Sequence, residues 1–162
     1  MDIRDATGHD VPGILAIYND VMATSTAIYR DEAATLEAHT AWWRQRVELG
    51  YPVLVAVDEA GVAGFASFGD FRPWPGYRFT VEHSVHVRGD CRGQGVGGQL
   101  MTPLIARATA LGKHVMIAGV DAENTASRRF HERLGFVPVA HFHEVGFKFG
   151  RWLDLMFLQR ML

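Results

Sequence analysis

The chain has 162 residues, 48% of them hydrophobic and 21% charged, with a net charge of −2; this is the make-up of one folded domain spanning residues 1–162 and excludes disordered, collagen-like and coiled-coil classes. Sixteen Lys plus Arg against 18 Asp plus Glu leave no basic excess for nucleic acid, and no apolar run reaches the roughly 20 residues of a membrane helix. A single cysteine, Cys91, cannot form an internal disulfide, and the N-terminus does not read as a signal peptide, so the expectation is a cytoplasmic protein without nucleic-acid or membrane partners.

Ile3 to Ala6 predicts a short first strand. Asp10 reads as a helix N-cap with Pro12 in the first turn, followed by Val11, Ile14, Leu15, Tyr18 and Met22 at helical spacing. A second helix is predicted from about Thr35 to Leu49, with Leu36, Trp43 and Val47 as its inner face, Trp42 and Trp43 as core, and Gly50 as its stop. Val53 to Val57 is a continuous apolar run, as in a strand buried on both faces, and Val62 to Phe68 returns after a turn at Asp58–Gly61 as its hairpin partner. Pro73, Pro75 and Gly76 make Phe71 to Tyr77 a loop. From Phe79 to Arg88 the pattern alternates, with Phe79, Val81, His83, Val85 and Val87 on one face and Thr80, Glu82, Ser84, His86 and Arg88 on the other. A glycine-rich loop at 89–95 leads into a helix carrying Leu100, Met101, Leu104, Ile105, Ala108 and Leu111, in which Pro103 predicts a kink. His114 to Val120 is a further strand, Asn124 to Leu134 a helix closed by Gly135, and Phe136 to Phe147 and Arg151 to Leu162 two final strands. The sum is a mixed α/β sheet flanked by helices.

The informative segment is Val85 to Gly98, where a strand ends, a glycine-rich turn follows and a helix begins. The first N–H groups of a helix have no internal partner, and with the helix dipole they attract anions. Glycines allow close backbone approach, and Arg92 adds positive charge, so the segment reads as a pyrophosphate cradle. It is not a P-loop, since Gly97-Gly98-Gln99 lacks the lysine. Gly93, Gly95 and Gly98 satisfy the dinucleotide fingerprint, but the position past mid-chain leaves too little chain for a full Rossmann sheet.

Arg92-Gly93-Gln94-Gly95-Val96-Gly97 matches the R/Q-x-x-G-x-G/A acyl-CoA motif, and the chain is similar to the GNAT superfamily of N-acetyltransferases. Asn124-Thr125-Ala126-Ser127 with His131-Glu132-Arg133-Leu134-Gly135-Phe136 resembles that superfamily's second cofactor segment. Ile14 to Asn19, Thr80 to Val85 and Lys148 to Asp154 resemble the phosphinothricin and methionine sulfoximine branch. The resemblance implies a GNAT-like fold, with a twisted, mostly antiparallel sheet of six or seven strands, and a homodimer.

It also implies acetyl-CoA as co-substrate, held by Val85, His86, Val87, Arg92, Gly93, Gln94, Val96, Gly97, Gly98 and the glycine at position 95, with Asn124 and Arg133 from the next helix. The pantetheine arm would pair with Val85 and Val87 like an added strand, leaving the Val85 N–H to stabilise the thioester oxygen. The amine would attack directly, so Cys91 is a bystander. Glu82 is the expected base, acting directly or through water, and His83, on the apolar face, reads as a buried histidine. His131 stands where many GNAT enzymes carry a tyrosine acid, and either donates a proton or lines the pocket. On the acceptor side, Phe71, Arg72, Trp74, Arg78 and Tyr29, with Glu82 and His83, suit a compact amino-acid-like amine, with an arginine on its carboxylate. Another amine, such as a polyamine or a protein N-terminus, and a non-catalytic CoA-binding module are the alternatives. His141 and His143 lie two apart on a strand, but alternation turns Glu144 away and no third ligand is evident, so no metal is expected.

Overall fold

A computed structural model describes all 162 residues. The chain runs as β1 (Asp2–Asp5), α1 (Val11–Thr24), α2 (Leu36–Glu48), β2 (Val53–Asp58), β3 (Gly61–Asp70), β4 (Thr80–Val87), α3 (Val96–Ala110), β5 (Val115–Asp121), α4 (Thr125–Arg133), β6 (Val137–Lys148) and β7 (Arg151–Met161). The strands form one sheet in the order β1-β2-β3-β4-β5-β7-β6. All neighbours are antiparallel except β4 and β5. The mixed α/β, mostly antiparallel architecture expected from the sequence is therefore the one observed.

The continuous apolar run of β2 feeds two cores. Val53 and Val55 pack towards Ile14, Ile17 and Val21 of α1, and Leu54 and Ala56 join Leu100, Met101 and Leu104 of α3 on the other face. Each fully buried aliphatic side chain of this kind stabilises the fold by about 1.5–3 kcal/mol.

Two local expectations change. Asp10 precedes α1, but its carboxylate accepts from Arg4 Nη1 and Nη2 at 2.8 and 2.9 Å and from the Thr7 N–H at 2.7 Å rather than capping the helix. The Arg4 hydrogen bond is the main reason it stays ionised down to about 2. The inner face of α2 is His39, Trp42 and Trp43; Leu36 and Val47 are half exposed. Trp42 packs edge-on against Phe65, His39 packs on Trp42, and Trp43 lies against Gly8, so the aromatic rings take the inner face. As the sequence reading has it, α3 carries Pro103 in its interior and runs from Val96 to Ala110.

What positions the site is a break in the sheet. β4 and β5 pair only from Thr80 to Glu82 against Val115 to Ile117, after which they part. β5 keeps β7 along its whole length and β4 keeps β3. The Arg88 N–H donates to the Ala63 carbonyl, which fixes the phase of β4. Past that last pairing, Val85 and Val87 turn their backbone N–H and C=O groups into the gap, with no strand to take them.

Candidate active site

The gap widens into a cleft of about 1080 Å³, walled by β4, β5, the start of α3, one side of α4 and the segment after α1. At one end the glycine loop makes a tight turn at Gly89–Cys91, then uses left-handed backbone at Gly93 (φ 73°) and Gly95 (φ 82°) to swing α3 into place. Gly98 opens on free space. Gly97 does not, since a Cβ there would stand 3.2 Å from the Phe130 ring; that glycine lets α3 and α4 approach. Arg92 Nε donates to the Val87 carbonyl at 3.2 Å, leaving its guanidinium beside the loop. Gln94 spends its side-chain amide on the Asp90 carbonyl at 2.9 Å and so braces the loop, leaving its backbone as the part that could meet a ligand. Val96 points into the core while its backbone starts the helix. Asn124 caps α4 through Oδ1, which accepts the Ser127 N–H at 3.0 Å, and so keeps its amide group at the cleft; Arg133 lines the cleft at the other end of α4. His86 sits between Tyr18 and Phe65, where burial, with help from the charge of Arg92, pushes its pKa down to about 4. Cys91 is buried and its thiol is pushed up by burial, the opposite of an activated nucleophile.

Glu82 leans across to β5. A Cβ built on Gly119 would lie 3.1 Å from Glu82 Oε2 and 3.3 Å from Phe157, so the bare glycine makes room for the carboxylate. Burial raises its pKa above the ordinary carboxylate value, in the direction a general base needs. On the opposite face His83 and His131 meet Nε2 to Nε2 at 3.0 Å. His131 Nδ1 lies 2.7 Å from the Ser127 carbonyl, which can only accept, so the proton of His131 is on Nδ1. Its Nε2 is therefore the acceptor and His83 Nε2–H the donor, leaving His83 Nδ1 buried without a partner. Burial is the first cause that lowers both pKa values, that of His83 to about 3. His83 is thus the buried, hydrogen-bonded histidine expected, and His131 is neutral with both nitrogens engaged.

The acceptor side is less complete. Glu82, Ser84 and His83 line the cleft; Phe71, Arg72, Trp74, Arg78 and Tyr29 do not. Trp74 is exposed, and Arg78 donates to the Pro75 carbonyl while lying over Phe79. Arg72 lies over Phe71 and Tyr77; Phe71 packs on Phe157, and Phe157 flanks the Glu82 carboxylate through Gly119. Tyr29 lies flat against Gly146 and donates to the Asp154 carbonyl at 3.1 Å, with its phenol pushed up to about 12 mainly by burial.

Several lining residues escaped the sequence reading. His39 and Trp42 of α2 and Arg30 reach the cleft. The segment Ser25–Ile28 is held by Lys148, whose buried Nζ donates to the carbonyls of Met22, Ser25 and Ile28 at 2.5, 2.8 and 2.6 Å. Only long-range pairing of β6 reveals that role.

Residues 14–136 match the family model described as Acetyltransferase (GNAT) family. The chain is 54% identical over 158 residues to an L-methionine sulfoximine/L-methionine sulfone acetyltransferase of Pseudomonas aeruginosa, covering 97% of this chain and 92% of that one. It is 46% identical over 162 residues to the L-amino acid N-acyltransferase MnaT of Escherichia coli, covering 100% and 94%. A crystal structure of a GNAT superfamily phosphinothricin acetyltransferase from Sinorhizobium meliloti, in complex with acetyl-CoA, superposes with a TM-score of 0.96 at 36% identity, covering 99% of this chain and 88% of that one. With the split sheet and the glycine loop described above, these matches establish that the chain belongs to the GNAT acetyltransferase family.

Proposed function

We propose that residues 1–162 act as one catalytic domain that transfers an acetyl group from acetyl-CoA to the α-amine of a small amino-acid-like substrate of the methionine sulfoximine, methionine sulfone or phosphinothricin type. The observation that carries the reading is Glu82: a half-buried carboxylate with raised pKa, facing a glycine, beside unpaired strand backbone. The named activities of the relatives support the substrate class.

The residues fit the co-substrate. Left-handed Gly93 and Gly95, the free space at Gly98 and the start of α3 suit a pyrophosphate, with Arg92 beside it. The outward N–H and C=O groups of Val85 and Val87 suit an extended amide-bearing arm. When bound, acetyl-CoA supplies an activated acyl carbon. Glu82 takes the proton of the incoming ammonium, directly or through one water, and the Val85 N–H faces the negative oxygen that develops. His131 acts as a positioning residue: its only proton is held by the Ser127 carbonyl, and through His83 it fixes the β4 backbone next to Val85. Arg72, which donates to no carboxylate in the chain, is the cation for the substrate carboxylate, ahead of Arg78, whose guanidinium already holds Pro75. No helix is long and apolar enough to cross a membrane, in keeping with action in the cytoplasm on a soluble amine. The exposed, mutually packed Phe147 and Trp152 of the β6–β7 pair form the apolar patch through which two copies associate.

The test is CoA release from acetyl-CoA with methionine sulfoximine, methionine sulfone, phosphinothricin, spermidine and an alanine-terminated peptide. Turnover with the first three at a kcat/KM well above the last two is expected. Preference for the polyamine or the peptide, or no turnover at all, would sink the substrate assignment.

A further inference from the structure

The β6–β7 pairing slips between Phe142, opposite Leu155, and Gly146, opposite Leu153. Three residues, His143, Glu144 and Val145, therefore bulge over one, Asp154. Strand alternation fails across such a bulge, and the left-handed Glu144 (φ 54°) turns its N–H onto Asp154 Oδ1 at 2.8 Å. The other oxygen, Oδ2, lies 2.8 Å from His141 Nε2 and 3.2 Å from His143 Nδ1, and the two imidazoles stack at 4.5 Å.

We propose that His141, His143 and Asp154 form an open three-ligand site for a divalent zinc-type ion. Metal bonds of about 2.0–2.1 Å at tetrahedral to octahedral angles place neighbouring donor atoms about 2.8–3.4 Å apart. Two of the three edges already have that length, and all three donors lie within 4.8 Å of one another. Only the freely exposed His143 has to turn to close the third edge. Each ring carries its proton on its other nitrogen when it ligates. Asp154 is held ready: Glu144 fixes Oδ1, and the Asp154 carbonyl is tied by the Ala122 N–H at 3.0 Å and Tyr29 Oη at 3.1 Å. Two imidazoles with one carboxylate favour zinc, cobalt or nickel over magnesium and calcium, which prefer all-oxygen sites. Exposure leaves room for water to complete the shell.

The experiment uses untagged full-length protein, calorimetric titration with Zn²⁺ and visible absorption with Co²⁺. One ion per chain and ligand-field bands of a low-coordinate Co²⁺ are expected, undisturbed by millimolar Mg²⁺. The exposed changes His141→Ala and His143→Ala should each weaken Zn²⁺ binding at least about tenfold and together abolish the Co²⁺ bands. Their thermal melts, taken without metal, should match the parent and exclude unfolding as the cause. Absence of saturable binding in the parent, or equal binding by the double variant, would show a hydrogen-bonded cluster and no metal site.

Discussion

The half of the cleft proposed for the cofactor is built from backbone, and the half proposed for the acceptor from side chains. At the glycine loop, positive φ at Gly93 and Gly95, open space at Gly98 and the free strand edge at Val85 and Val87 do the shaping. Around the proposed acceptor, Glu82, Tyr18, His39 and Trp42 come from three separate elements, and Arg72 comes from a fourth stretch outside the cleft lining. A backbone site is set by local sequence, because glycine positions dictate the turn. A side-chain site depends on packing between distant elements and can change its substrate without disturbing the cofactor. Substitutions on the two sides should therefore separate cofactor affinity from turnover.

The largest effect is expected at Glu82. Glu82→Gln should lower kcat by about 10²–10⁴-fold at neutral pH while acetyl-CoA affinity holds, as measured by steady-state kinetics and calorimetry. Next comes Gly119→Ala, whose methyl would stand 3.1 Å from Glu82 Oε2. Displacing the base should cost about tenfold to a hundredfold in kcat, again without loss of cofactor affinity. On the backbone side, Gly98→Val should do the reverse, raising the acetyl-CoA dissociation constant roughly tenfold with an unchanged melting temperature. Gly97 is a poorer probe, because a side chain there meets Phe130. Arg72→Ala should raise KM for the amino acid by about tenfold, the scale of one hydrogen-bonded charge at about 1.5 kcal/mol, and leave KM for acetyl-CoA alone. A mutation on either side that moves both quantities together would break the division.

A further expected effect concerns stability. Burial depresses the pKa of His83 to about 3 from an ordinary 6.5. The stability contributed by its neutral form is fully present above pH 6.5 and is lost as pH falls towards 3. Urea midpoints between pH 6.5 and 4 should fall with a slope that His83→Phe flattens by up to about 1.4 kcal/mol per pH unit.

Most of the fold was legible in the sequence because it follows local rules. The apolar run of β2, the prolines of the 71–77 loop and the alternation of β4 each specify their element without help from afar. The α2 face was misread because His39 counts as polar in a hydrophobic pattern, yet stacks between Tyr18 and Trp42. Lys148 and Asp154 were invisible for another reason. A lysine that holds three carbonyls more than 100 residues earlier, and an aspartate opposite a bulge, owe their roles to register. The glycine loop was legible as a strand-to-helix turn because its glycines set the backbone locally, whereas the place of Arg72, outside the cleft lining, depends on packing against Phe71 and Tyr77.

The central claim is that Glu82 accepts the proton of the attacking amine in the gap between β4 and β5. The most direct test is a pH–rate profile of the parent and Glu82→Gln with one amine, under saturating acetyl-CoA. The parent should lose activity on the acid side through the raised pKa of Glu82. The variant should be slow at neutral pH and approach the parent as the pH nears the pKa of the amine, which then arrives already neutral. Near-parental kcat for the variant at neutral pH, or a deficit that stays constant across the whole profile, would contradict the assignment.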